Sequence, residues 1–428
     1  MRRHAAPSAS ALLTLSLTLA LTLAACAANP TGAYTAATAT PRATPVNLPA
    51  AWKSSTPPTA AEDIQFAPSR PSLAYLCADN GPAAGSLTST PRLYVSYGGE
   101  WYSVSAPAMA AISDPATVAA SCAIFIDAQN SKDIFYQEAV NELQGAGHVI
   151  RQALYRSQDG GATWRTLATV ASGAGFASVA VVGSRLVGRV YPIYYGAASC
   201  TSMPKPKAST LLYASDDGGA TWNPIGQTLE SAGYALTDMA VAGTTIFAVA
   251  TQVPAAACQQ SAGAALWRST DGGATWASTA LSEPGIQSVS FTRRADGSSY
   301  DGVVVATTAN GSPIELFSQD SGATWTLLSA LSTTPTANSS GGAPTGGYIN
   351  ALVSPTGVVV AQEDGGANTD ILDATSATPR WTPYAAGSQD RSDNWRLQPL
   401  AQGARVWALQ YVFSPTPQAS ALTYLTLP

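Results

Sequence analysis

Ser269-Thr270-Asp271-Gly272-Gly273-Ala274-Thr275-Trp276 carries a pattern, Ser-x-Asp-x-Gly-x-Thr-Trp, that recurs from Ser157, Ser215 and Ser318. The closing tryptophans, Trp164, Trp222, Trp276 and Trp325, stand 58, 54 and 49 residues apart. Self-similarity at that period marks an array of supersecondary units, none of which can bury its apolar surface alone.

Around Ser269 the chain divides into four short β-runs. Thr237 to Gly243 alternates, Thr245 to Val253 is β-branched, Ala265 to Thr270 enters the motif and Trp276 to Ala280 leaves it. Four such runs joined by turns make one antiparallel meander sheet. Radial stacking of such sheets gives an all-β fold, a β-propeller of four-stranded antiparallel blades. Degenerate copies extend the series: Leu93 to Tyr97 with Trp101, and Asp370 to Thr375 with Trp381, where Ser376 stands in place of the Asp. First strands are expected at 63–69, 122–127, 177–183, 237–243, 287–293, 349–355 and 396–403. Seven blades are expected, six being the competing count. The seventh repeat lacks a fourth strand at its own end, and Trp52-Lys53-Ser54-Ser55-Thr56 resembles the missing piece. An N-terminal strand beside Thr423 to Leu427 would then close the last blade.

The octapeptide resembles the Asp box, or BNR repeat, of propellers that include exo-sialidases, some endoglucanases, sortilin-type receptor domains and photosystem II assembly factors. The residues themselves assign it a local job. Asp159, Asp217, Asp271 and Asp320 can accept backbone N–H bonds in the turn, Gly161, Gly219, Gly273 and Gly322 allow positive φ, and each Trp buries a large apolar area. Four equivalent copies scattered around a ring cannot converge on one substrate, so these residues are structural.

Of the 428 residues, 46% are hydrophobic and 11% charged, which suits a globular chain with a large core. A net charge of −5 with only four Lys and no basic run argues against nucleic-acid partners. Arg2 and Arg3 precede an apolar run from Ala11 to Ala25, and Leu23-Ala24-Ala25-Cys26 resembles the bacterial lipobox. The resemblance implies a signal peptide over 1–25, lipid attachment at Cys26 and an extracytoplasmic, membrane-anchored protein. Residues 26–49, rich in Ala, Thr and Pro, read as a tether, and 50–428 as a single propeller domain.

Loops after first and third strands lie on one side of such a sheet, and those after second and fourth on the other. The motifs occupy the first side. Long loops are expected on the second, at 79–92, 137–152, 192–210 and 252–264, with short ones in repeats five to seven. Four cysteines remain besides Cys26, which allows three pairings. Cys200 and Cys258 fall in equivalent loops, while Cys77 ends a second strand and Cys122 begins the next first strand, favouring Cys77–Cys122 and Cys200–Cys258.

The chemically able residues of the long-loop side are Glu138, Glu142, His148, Arg151, Arg189, Tyr191, Tyr194 and Tyr195. Glu138 and Glu142, four apart, also suit a solvated helical face. Aromatic and Arg-bearing loops suit glycan or protein recognition, because Tyr offers flat apolar area with a polar tip. A single His in the mature chain leaves no multi-histidine metal site, and neither a nucleophile elbow nor a phosphate-cradling loop occurs. The Phe/Tyr-Arg-Ile/Leu-Pro signature of sialidases is not met by Phe66-Ala67-Pro68-Ser69-Arg70-Pro71. The expectation is a monomeric, cofactor-free binding module for a glycan or an extracellular protein, with a glycoside hydrolase of the sialidase superfamily as the alternative.

Overall fold

The computed structural model describes residues 53–55, 60–68, 70, 72–79, 91–97, 100–107, 118–142, 149–170, 175–190, 212–252, 263–283, 285–307, 313–328, 348–363, 368–375, 381–385, 394–400, 404–410 and 421–427. All of them fall in one compact unit spanning 36–428.

They form four-stranded antiparallel sheets, seven among the described residues. After β1 (Lys53–Ser55), the first sheet is β2 (Ala60–Phe66), β3 (Leu73–Asp79), β4 (Pro91–Tyr97) and β5 (Trp101–Val104). The second is β6 (Val118–Ile126), β7 (Ile134–Glu142), β8 (Val149–Ser157) and β9 (Arg165–Leu167). The third is β10 (Phe176–Val182), β11 (Arg185–Val190), β12 (Leu212–Ser215) and β13 (Asn223–Pro224), followed by the one-turn helix α1 (Gln227–Ser231). The fourth is β14 (Tyr234–Ala242), β15 (Thr245–Gln252), β16 (Ala264–Ser269) and β17 (Ala277–Glu283). The fifth is β18 (Ser288–Arg293), β19 (Tyr300–Thr307), β20 (Pro313–Ser318) and β21 (Thr326–Leu327). The sixth is β22 (Tyr348–Val353), β23 (Val358–Glu363), β24 (Asn368–Asp373) and β25 (Thr382–Ala385). In the last, β26 (Asn394–Pro399), β27 (Ala404–Gln410) and β28 (Ala421–Leu427) are completed by β1, with Lys53 opposite Tyr424 and Ser55 opposite Leu422. Trp52 lies outside the described residues.

The second strands explain why the sheets stack. Ile246 to Ala250, Val303 to Ala306 and Val358 to Ala361 are buried at every position, so each of these strands is covered on both faces and reads as a continuous apolar run. The outer strand β5 instead exposes the middle of its length. One buried cluster joins the first and second sheets through Tyr75, Ile124 and Tyr136. Another runs from Phe135 through Phe176 and Leu186 to Ile246, across the second, third and fourth. Phe247 stacks on Phe291 between the fourth and fifth, with centroids 4.5 Å apart. Val303 and Phe317 meet Val353 and Leu372 between the fifth and sixth, and Val360 meets Val406 between the sixth and last. Strand β2 lies against β26.

Polar ties supplement this packing. Asp63 and Asp238 each follow a register irregularity in a first strand. Each carboxylate reaches the neighbouring sheet, accepting from the backbone N–H of Ile124 at 2.9 Å and of Val289 at 3.0 Å. Cys77 and Cys122 form a disulfide between the first and second sheets, Cα atoms 6.2 Å apart. Cys200 and Cys258 lie outside the described residues.

Several sequence expectations need correction. Residues 137–142 and 149–152 are not loop: they belong to β7 and β8, leaving only 143–148 between those strands. The continuous apolar run Ile134-Phe135-Tyr136, buried at every position, carries the strand onward through the polar residues that follow. The connection 411–420 in the last repeat is not short either. In the sixth sheet, Asp373 stands opposite Val358 as Ser157 stands opposite Ile134, and Thr375 occupies the place given to the Asp. The two residue types have exchanged roles, with Asp373 Oδ1 accepting from the N–H and hydroxyl of Thr375 at 3.0 and 2.7 Å.

Candidate functional site

The two ends of the sheets differ in how their polar groups are used. At the motif end, the four boxes repeat one geometry. The Ser hydroxyl donates to the Asp Oδ1, at 2.7 Å in Ser157–Asp159 and 2.8 Å in Ser269–Asp271, and accepts from the second Gly N–H, at 2.7 Å in Gly161 and 2.8 Å in Gly273. The Thr N–H and hydroxyl both donate to the same carboxylate, at 2.9 and 2.6 Å in Thr275–Asp271. Gly273 has φ of +92°, and a Cβ there would meet Ile225 Cδ1 at 2.4 Å, so both conformation and space exclude a side chain. The preceding box position tolerates one, since Ser321 takes φ of +59°.

These bonds favour the ionised carboxylate. Donation from Thr163 first, then Ser157, lowers Asp159 to about 2, and the equivalent bonds from Thr275 and Ser269 lower Asp271 to about 2. Asp217 is also lowered, by Thr221 foremost. At Asp320 burial pulls upward, and the bonds from Thr324 and Ser318 outweigh it. A carboxylate held as an anion with its oxygens spent on its own turn is a poor proton donor and a poor metal ligand.

Arginines join the boxes to one another. Arg165 donates to Gly218 O at 2.6 Å, and Arg185 pairs with Asp216 at 2.7 Å while donating to Gly272 O at 2.9 Å. Arg156 forms a buried two-pronged pair with Asp133 of the preceding turn. Trp222 and Trp276 donate to Ala168 O and Ile225 O of the preceding sheets. None of these arginines was singled out from the sequence. Their signal was faint: each lies beside a box or a first turn, where a long donor can reach the next hairpin.

Of the candidate residues, Glu138, Glu142, Arg151 and Arg189 lie among the described residues. Glu138, in the middle of β7, is 2% exposed and accepts from the Tyr136 hydroxyl at 2.8 Å. It faces the cluster between the first and second sheets, so neither a helical face nor a surface carboxylate describes it. Glu142 ends β7. Arg151 lies in β8 and Arg189 near the end of β11, both strands rather than loops. Arg189 is half-buried, its Nε has no hydrogen-bond partner among the described residues, and its charge acts on Asp238. Asp238 is nonetheless raised, because burial outweighs Arg189. His148, Tyr191, Tyr194 and Tyr195 lie outside the described residues.

Gln137, which sequence reasoning passed over, clamps the next sheet. Its amide donates to Phe176 O at 3.0 Å and accepts from Phe176 N–H at 2.6 Å. Among the described residues no group of three or more His, Cys, Asp or Glu is placed to hold a metal ion, and no helix is long and apolar enough to cross a membrane.

No protein-family model matches the chain, and no curated protein does. Among solved structures, the chain is similar to YCF48 bound to D1 peptide, at 14% identity and a TM-score of 0.49 over 92% of this chain and 99% of that one. It is similar to the GH74 xyloglucanase from Xanthomonas campestris, at 14% identity and a TM-score of 0.46 over 86% of this chain and 59% of that one. The β-propeller domain of the Trilobed protease from Pyrococcus furiosus is 8% identical, with a TM-score of 0.47 over 86% of this chain and 95% of that one. Such identities carry no role from those proteins to this one.

Proposed function

We propose that the protein is a lipid-anchored, extracytoplasmic β-propeller of seven blades, acting as a non-catalytic module that binds a protein or glycan on the face opposite the boxes. Ring closure is supported by the pairing of β1 with β28 and by β2 lying against β26. The bond from Gln129 Nε2 to Tyr300 Oη, 2.6 Å across sheets two and five, adds a tie between non-neighbouring blades.

The observation that carries the functional reading is the contrast between the ends. Box turns spend their carboxylates, hydroxyls and arginines on one another. The other end bears the long connections 80–90, 191–211 and 253–262, with Tyr191, Tyr194 and Tyr195 in the second of them. Long connections on a rigid scaffold are where recognition residues concentrate. Burial of Glu138 against Tyr136 weighs against its use as a glycosidase acid or base, which must reach the scissile bond.

The test is binding of the purified chain to glycan and peptide arrays, alongside Tyr194→Ala with Tyr195→Ala. Binding lost in the double variant, with an unchanged unfolding transition, supports the reading; equal binding by both proteins rejects the face. Turnover of a fluorogenic glycoside would instead establish an enzyme. Cys26→Ser tests the anchor separately, since it should move the protein from the membrane to the soluble fraction.

A further inference from the structure

Asp301 is the second residue of β19, 2% exposed, at the box end where the fifth sheet meets the sixth. Among the described residues its Oδ1 has no hydrogen bond, and it is paired with Arg294 Nη1 at 3.5 Å. Arg294 is itself about one-third exposed and turns its Nε towards Asp296, 3.8 Å away. From the sixth sheet, Asp301 Oδ2 faces Gly357, where a Cβ would lie 3.9 Å off, and Thr375 packs on the same glycine. Neither residue carries charge, and Thr375 is already tied to Asp373. Among the described residues, this buried carboxylate thus has one imperfect cationic partner and no donor from the neighbouring sheet.

The backbone beside it crosses the seam. Ala295 N–H donates to Pro355 O of the sixth sheet at 3.0 Å. Pro355 and Gly357 belong to one turn, in which Gly357 N–H bonds Ser354 O at 3.0 Å, and Gly357 O in turn accepts from Ala374 N–H at 3.1 Å. The turn bearing Arg294 is closed by its own bond to Ser299 O at 3.0 Å. Opening at Ala295–Pro355 is the movement that would bring water to Asp301.

We infer that this seam is a proton-operated latch: Asp301, Arg294 and the Ala295–Pro355 bond hold the fifth and sixth sheets together while Asp301 is neutral, and ionisation of Asp301 loosens them. The physical reason is the cost of an ionised carboxylate in a site where no donor completes its shell. Burial raises the Asp301 carboxyl to about 7, against the downward pull of Arg294, and Asp296 adds to the rise.

The sign follows by linkage. In the opened seam the carboxyl meets water and returns towards about 3.9, the ordinary value for Asp. The closed form therefore binds the proton more tightly. Closure is strongest below about pH 4, where both forms are protonated. It weakens as pH rises towards 7 and is constant above that, where both are ionised.

Hydrogen exchange on the full chain at pH 5, 6, 7 and 8, corrected for intrinsic rates, reads the latch at peptides covering 294–300 and 354–358. Protection should fall by about tenfold or more between pH 5 and 7, one pKa unit being a factor of ten in such an equilibrium. Asp301→Asn, neutral throughout, should keep the pH 5 protection at every pH. Arg294→Gln removes the cation paired with Asp301, so its loss of protection should extend to higher pH than in the parent. PH-independent protection in the parent would overturn the latch, as would an Asp301→Asn protein that loosens like the parent. Should Asp301→Asn not fold, an Arg294→Gln profile superimposable on the parent's would also overturn it. None of these outcomes bears on ligand binding at the opposite face.

Discussion

Gln129 Nε2 donates to the Tyr300 hydroxyl at 2.6 Å although 171 residues separate the two. Gln129 sits in the first turn of the second sheet and Tyr300 at the start of β19, with Gly243 of the fourth sheet passing beneath the Tyr300 ring, where a Cβ would come within 3.5 Å of Cε2. First turns from three sheets therefore meet at one place.

The bond is exposed, so its worth is modest, about 0.5–1.5 kcal/mol. Tyr300→Phe and Gln129→Ala should each lower the unfolding free energy by up to that amount, and the double variant by no more than the larger single effect. Denaturant unfolding of the four proteins in a double-mutant cycle checks it; strictly additive losses would show that the two side chains do not interact.

The Cys77–Cys122 disulfide closes a loop with a sequence separation of 45 residues. Loop-closure entropy for a chain of that length corresponds to about 4 kcal/mol. Replacing both cysteines by Ala should cost up to that much, and a reductant should then have no further effect on this link. An unchanged denaturation midpoint in the double variant would mean the sheets are held equally well without it.

Box carboxylates should set the acid limit. Asp159 and Asp271 are lowered to about 2 in the fold by Thr donors. Groups depressed in the folded state contribute stability that is full above their ordinary range near 3.9 and lost as pH falls through 2. Thr275→Val takes away the largest of these donors at Asp271, so acid unfolding of that variant should begin at a higher pH. Tryptophan fluorescence followed from pH 6 to 2 reads the shift; coincident curves for parent and variant would remove Thr275 from the account.

Gln137 and Gln152 should behave oppositely on losing their amides. Gln137→Leu leaves the buried N–H and C=O of Phe176 unpaired and should cost about 2–4 kcal/mol. In Gln152 the amide N and O are both buried without partners among the described residues, so Gln152→Leu should be neutral or stabilising. Thermal denaturation of the two variants side by side separates them, and a Gln152→Leu protein as unstable as Gln137→Leu would contradict the bonding.

Much of the fold was legible because its signals are local and repeated. The Ser-x-Asp-x-Gly-x-Thr-Trp turn closes within eight residues, and the bonds among its Ser, Asp, Gly and Thr all come from those eight. Cys77–Cys122 apart, bonds between sheets were not legible. Asp63 reaches Ile124 across 61 residues and Arg185 reaches Gly272 across 87, distances over which sequence carries no register. Glu138 misled for a related reason: spacing from Glu142 suits a helix face and a strand face alike, and the arbitrating evidence was the apolar Ile134-Phe135-Tyr136 just before it. Candidate residues at 148 and 191–195 fall in stretches whose sequence has neither periodicity nor turn chemistry to constrain a reading.

Pairing of Lys53 with Tyr424 has a temporal side. A chain made from its N-terminus carries β1 long before β28 exists, so this strand must wait unmated until residues 421–427 have been made. Completion of the last sheet is then the event that most of the chain must precede, an encounter of high contact order and correspondingly slow. Any protein cut short before residue 421 would leave both Lys53 to Ser55 and the outer edge of β27 without their mates, two raw edges open to other chains.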